Sequence, residues 1–107
     1  MQQLTVQQLS TWLTDSTRVR PVLLDVREDW EFQICRLPES NHVPMSQIPA
    51  KAGTLDPHAD TVVICHHGAR SMQVAMYLER SGFSKLFNLS GGVDAWSRDI
   101  EPAMPTY

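Results

Sequence analysis

The feature that most limits what this chain can fold into is the run Thr61-Val62-Val63-Ile64-Cys65-His66-His67-Gly68-Ala69-Arg70-Ser71. Val62, Val63 and Ile64 form an apolar, β-branched stretch with no polar alternation. Such a stretch reads as a strand covered on both faces. From Ser71 the apolar residues change to helical spacing: Met72, Ala75 and Met76 lie on one side, with Val74 and Leu78 beside them. A doubly covered strand that empties through a short glycine-bearing loop into a helix is the repeating unit of a layered α/β domain.

The rest of the chain repeats that alternation. Thr5 and Gln8 have capping-box spacing, and Val6, Leu9, Trp12 and Leu13 give one apolar face, which predicts a helix over 6–14. Val22 to Val26 reads as a short buried strand interrupted by Asp25 near its end. Trp30 and Phe32 suggest a short packed helical turn. Residues 35–50 are irregular, with Pro38, Pro44 and Pro49. Val43 suggests a brief strand there, and Ser46 a cap for a short helix toward Ala52. A helix is predicted over 71–81, with Ser71 as N-cap and Gly82 stopping it. Lys85 to Leu89 reads as another strand. Gly91-Gly92 opens a last helix with Val93 and Trp96 inward, and Pro102 and Pro105 leave a tail over 100–107. At 107 residues the chain fits one domain over 1–107. The pattern predicts an α/β fold with a central parallel sheet. In such sheets ligands sit beyond the carboxyl ends of the strands, where Asp25 and Cys65 both fall.

Chemistry concentrates in the same loop. Cys65 stands at a strand end facing a helix N-terminus, where backbone N–H groups and the helix dipole favour negative charge and hence the thiolate. Arg70 adds a fixed positive charge. Gly68 lets the loop curl. His66 and His67 are expected to contribute backbone N–H groups, with their rings passive. Cys35 is read as a packing residue rather than a resolving partner for Cys65. Two cysteines without a targeting segment argue against a disulfide framework and for a reducing, cytoplasmic compartment. Their spacing fits no zinc motif, and no metal is expected. The net charge of −3 and the lack of a basic cluster argue against nucleic acid, and no segment has the length of a membrane span.

The motif Cys65-x-x-Gly68-x-Arg70-Ser71, with Leu24-Asp25-Val26-Arg27 before it and Gly91-Gly92-Val93-Asp94-Ala95-Trp96 after it, resembles the single-domain rhodaneses. The resemblance runs along nearly the full chain. It implies a three-layer domain and a sulfurtransferase that needs no cofactor. Cys65 would take a sulfane sulfur from a donor such as thiosulfate, become a persulfide, and pass that sulfur to a thiophilic acceptor, a small molecule or a protein. The N–H groups of residues 66–70 would cradle the persulfide, Arg70 would help bind an anionic donor, and Asp25 and Arg27 would support the loop. One stretch departs from the pattern. Where many rhodaneses read Gly-His-Ile-x-Gly-Ala, this chain has Cys35-Arg36-Leu37-Pro38-Glu39-Ser40, which implies a local loop change. Two alternative activities differ in what they require of this loop. Cysteine phosphatases and arsenate reductases of related fold place five residues between Cys and Arg, and this chain has four. A non-catalytic binding module would not need Cys65 and Arg70, although a persulfide carrier serving a protein partner would.

Overall fold

The computed structural model describes all residues from Met1 to Tyr107. Five strands form one parallel sheet: β1 (Gln2–Leu4), β2 (Val22–Asp25), β3 (Asn41–His42), β4 (Thr61–Ile64) and β5 (Leu86–Leu89), in the order β1-β5-β4-β2-β3. Helices α1 (Val6–Thr14), α2 (Asp29–Ile34), α3 (Ile48–Lys51), α4 (Ala69–Arg80) and α5 (Gly92–Asp99) connect and cover it. The predicted α/β architecture with its central parallel sheet is therefore the observed one.

Strand alternation sorts the core into two halves. Leu23, Val62, Ile64 and Leu89 point to one face and pack with Val6, Leu9 and Trp12 of α1 and Val93 and Trp96 of α5. Leu24, Val63 and Leu86 point to the other and pack with Ile48 of α3 and Val74, Ala75 and Leu78 of α4. β4 lies at the centre, and Val62, Val63 and Ile64 are fully buried, as an unalternating β-branched run requires. Its register with β2 sets Asp25 opposite Ile64, so the residues after both strands emerge side by side. The Thr5/Gln8 capping box is present, with bonds of 3.1 and 2.9 Å.

Several expectations are corrected. The sequence pattern does not show strand β1, whose three residues are too few to carry a periodicity. α4 begins at Ala69, not Ser71, because Gly68 serves as N-cap with φ +110. Ser71 is instead a buried residue in the first turn. Met72 and Met76 are 38% and 42% exposed, so the inward face of α4 is Ser71, Val74, Ala75 and Leu78. Trp30 is 59% exposed, and the buried residue of α2 is Glu31. The short third strand ends at His42, one residue before Val43. Ser46 lies within a 3₁₀ turn (Met45–Gln47) that leads into α3, and its hydroxyl caps nothing. The tail is not loose: the Met104 carbonyl accepts a bond from Ser97 Oγ at 3.1 Å, and Tyr107 packs on the core.

The departing stretch 35–40 carries a backbone cost. Glu39 stands where the family pattern has its second glycine, and its φ is +65, the one positive value outside glycine. Its carboxylate pairs with Arg20 at 3.1 Å, but both side chains are open to water, so the pair contributes little. A left-handed conformation in a residue with a Cβ costs about 1 kcal/mol. Glu39→Gly is expected to raise stability by roughly 0.5–1 kcal/mol, read as a higher midpoint in urea unfolding.

Candidate active site

Cys65 follows the last residue of β4 and is buried. Its Sγ accepts the Gly68 N–H at 3.0 Å and lies 3.3 Å from Ser71 Oγ, to which the thiol donates. Ser71 Oγ in turn donates to Asn88 Oδ1 in the middle of β5. Asn88 Nδ2 donates to Gly68 O at 3.2 Å and to Gln3 Oε1 at 2.9 Å. A buried polar chain therefore runs from the thiol through the first turn of α4 to the edge strand. The N–H groups that open α4 have no acceptor within the helix.

The loop's outer side is fixed by α5. The Val93 N–H donates to the Cys65 carbonyl at 3.0 Å, and the Asp94 N–H to the His66 carbonyl at 3.1 Å. These are donors that a helix start leaves free. They fix both carbonyls against the start of α5, and the Gly68 N–H points to the thiol. The approach is so close that only glycine fits at position 92. A Cβ there would lie 2.3 Å from the Cys65 carbonyl oxygen and 2.4 Å from that of His66, and φ is +57.

Arg70 leaves the first turn of α4 and makes a two-pronged pair with Glu31, Nη1 to Oε2 at 2.7 Å and Nη2 to Oε1 at 2.8 Å. Glu31 also accepts the Glu28 N–H at 2.8 Å and the Tyr107 hydroxyl at 3.0 Å. Arg70's bonds hold the Glu31 carboxyl far below its ordinary value of 4.5, to about 2, against the opposing effect of burial. Burial pushes the Tyr107 phenol up to about 12, so it remains a donor. Behind them Arg27 is fully buried. It bonds Asp25 through Nε at 3.0 Å and Nη2 at 2.7 Å, the Cys35 carbonyl at 2.6 Å and the Tyr107 hydroxyl at 3.0 Å. Asp25 and Arg27 thus reach the loop indirectly, through Tyr107 and Glu31. Desolvation of Arg27 is offset by these partners, and its pKa stays raised.

The two histidines differ. His67 is exposed, whereas His66 is half-buried beneath Tyr107, with ring centroids 4.0 Å apart in a stacked arrangement. Burial and the neighbouring His67 lower the His66 pKa, which favours its neutral form. Nitrogens of both rings and a carboxylate oxygen of Asp94 lie within 4.8 Å of one another. Asp94 already faces His67 and Arg98, each at 3.8 Å. Cys35 belongs to the core half on the α1–α5 side and Cys65 to the other half, in accord with a packing role for Cys35.

The rhodanese-like domain family model matches residues 5–99. The chain belongs to that family. A sulfurtransferase of Allochromatium vinosum is 35% identical over 92 residues, covering 86% of this chain and 84% of that protein. The chloroplastic rhodanese-like/PpiC domain-containing protein 12 of Arabidopsis thaliana is 42% identical over 89 residues; the match takes in 79% of this chain but 30% of that longer protein. Among solved structures, a rhodanese-like domain protein from Staphylococcus aureus superposes with a TM-score of 0.83 at 30% identity, covering 90% of this chain and 91% of the other. The relatives thus place the chain among rhodanese-type sulfurtransferases and sulfur carriers. No helix of the chain is long and apolar enough to cross a membrane.

Sequence reasoning missed Glu31, Asn88 and Tyr107. Asn88 had a signal, a polar residue inside an otherwise apolar strand. Glu31 had a weaker one, a Glu-x-x-Glu spacing with Glu28 at a helix start. Tyr107 had none.

Two outcomes follow from this geometry. Gly92→Ala is expected to destabilise the protein by about 3 kcal/mol or more, through the steric conflict and the positive φ, measured by urea unfolding. Because the Glu31 pKa is depressed on folding, its stabilisation is complete above about pH 4.5 and is lost as pH falls toward 2. Glu31→Gln should flatten that part of the acid-stability curve, followed by circular dichroism.

Proposed function

We propose that the protein is a sulfurtransferase that carries a sulfane sulfur as a persulfide on Cys65. The supporting observation is the Gly68 N–H donating to Cys65 Sγ at the open end of α4, with the loop carbonyls turned away by α5. In this reading the Cys65 thiolate attacks the outer sulfur of thiosulfate. A new S–S bond forms, the bond between the two thiosulfate sulfurs breaks, and its electron pair leaves with sulfite. The persulfide's terminal sulfur then lies among the N–H groups of residues 66–70, which stabilise its charge. A thiophilic acceptor attacks that sulfur and releases the Cys65 thiolate; with cyanide the product is thiocyanate. The cycle is a double displacement on one nucleophile and needs no cofactor.

The side chains have distinct parts in this scheme. The Ser71 hydroxyl oxygen accepts a hydrogen bond from the thiol in the resting state. Arg70 borders the entrance. Asp25 and Arg27 hold Tyr107 and, with it, Glu31. The rings of His66 and His67 flank the opening without entering the chemistry. The scheme serves equally well a carrier that hands its sulfur to a protein acceptor, since only the acceptor changes. Both cysteines are free and buried, which suits a reducing compartment such as the cytoplasm. The four-residue Cys-to-Arg loop favours a single extra sulfur atom over a tetrahedral phosphoryl group.

Intact-mass spectrometry after incubation with thiosulfate tests the scheme. The wild type is expected to gain one sulfur atom, to lose it on addition of cyanide, and Cys65→Ser to gain none. A folded protein that takes up no sulfur from any sulfane donor would refute the reading.

A further inference from the structure

The cation that borders the Cys65 loop is already occupied. Arg70 gives two N–H bonds to Glu31, which is buried and holds four donors in all. The other cations touching the loop's partners are paired as well, Arg27 with Asp25 at 2.7 Å and Arg98 with Asp99 at 3.0 Å. Asp94 adds a carboxylate beside His67. Each of these three guanidinium groups is thus paired with a carboxylate, and Asp94 adds a further one beside the loop. The N–H groups can still cradle a single sulfur atom. A donor with two negative charges, however, meets a loop arginine that is already paired with a carboxylate.

Resting on the sulfurtransferase reading, we infer that Glu31 sets donor specificity: by engaging Arg70 it turns the site from dianionic sulfane donors such as thiosulfate toward monoanionic or neutral ones. Glu31 is a positioning residue here, since it acts through the Arg70 guanidinium. The chemical step is the same for either class. The Cys65 thiolate attacks the outer sulfur, the donor's S–S bond breaks, and the electron pair leaves on the departing group. For thiosulfate that group is the sulfite dianion. For an alkylthiosulfonate it is the sulfinate monoanion. For a persulfide R–S–SH it is the thiolate R–S⁻, with the hydrogen staying on the transferred sulfur. The donors therefore differ mainly in the charge that must approach the rim. At the separations of such a site one unit of charge is enough to change affinity by about tenfold.

The test compares thiosulfate with methanethiosulfonate, which offers the same outer sulfur on a sulfonyl group with one charge fewer. Steady-state rates with cyanide as acceptor are measured for the wild type and for Glu31→Gln. The wild type should prefer methanethiosulfonate in kcat/KM. Glu31→Gln, which frees the Arg70 charge, should shift the ratio toward thiosulfate by about tenfold, through KM rather than kcat. A folded fraction below one lowers both rates alike and cancels in the ratio. A ratio unchanged within about twofold, or moved the other way, overturns the inference. A second measurement needs no variant: kcat/KM of the wild type for thiosulfate should rise with ionic strength as like charges are screened, and a fall overturns it. Sulfur loading of Cys65 by either donor, seen by intact mass, separates failure of this inference from failure of the sulfurtransferase reading. If neither donor loads Cys65, both are refuted.

Discussion

The contact on which the rest of the site depends is the one between the start of α5 and the back of the Cys65 loop. Two backbone N–H groups, those of Val93 and Asp94, take the carbonyls of Cys65 and His66. A peptide plane has two polar ends, so fixing the carbonyl outward fixes where the following N–H can point. The orientation of the loop's N–H groups is thus constrained from the side away from the thiol. Gly92 makes this possible by leaving no side chain in a gap too small for one. Gly-Gly before Val93-Asp94 is therefore part of the site, although neither glycine comes near the thiol by its own chemistry.

A second layer of control is electrostatic. Asp25, Arg27, Tyr107, Glu31 and Arg70 alternate acceptor and donor from the end of β2 to the mouth of the loop. Buried ions of this kind are tolerated because nearly every polar atom is engaged; removing one member leaves its neighbour charged and unpaired, at several kcal/mol. The arrangement locks Arg70 in one orientation. It also spends the positive charge that the bare sequence advertises at that position. The same motif can therefore present different fields to a donor, according to what stands opposite its arginine.

How far the sequence discloses this depends on whether a residue's partner is local. The central strand was legible because Val62-Val63-Ile64 can be satisfied only by cover on both faces, and α1 because Thr5 and Gln8 bond each other within one turn. Asp25 stood out as a carboxylate in an apolar strand, and its location was right. The start of α4 was misplaced by two residues because Gly68, in a left-handed conformation, capped the helix where a hydroxyl was expected from Ser71. Met72 and Met76 have the spacing of a buried face, but the sheet lies on the other side of their helix. Glu31 and Tyr107 depend on partners 39 and 76 residues from Glu31, and no periodicity reports a bond of that span. The loop's cysteine and arginine were visible; the carboxylate that pairs with the arginine was not.

The sequence order of these parts has a consequence for biosynthesis. The thiol lies at position 65, but the donors that orient its loop come from positions 93 and 94, and Asn88, which receives the Ser71 hydroxyl, lies between them. β1, the first strand of this sheet, has its sole partner in β5, the last. During translation the cysteine emerges well before anything that can shape its surroundings, so the growing chain exposes an ordinary thiol on a half-built sheet. Only when the segment through α5 has left the ribosome can the edge strand dock and the loop close. Acquisition of the loop geometry around Cys65 is thereby tied to completion of this sheet.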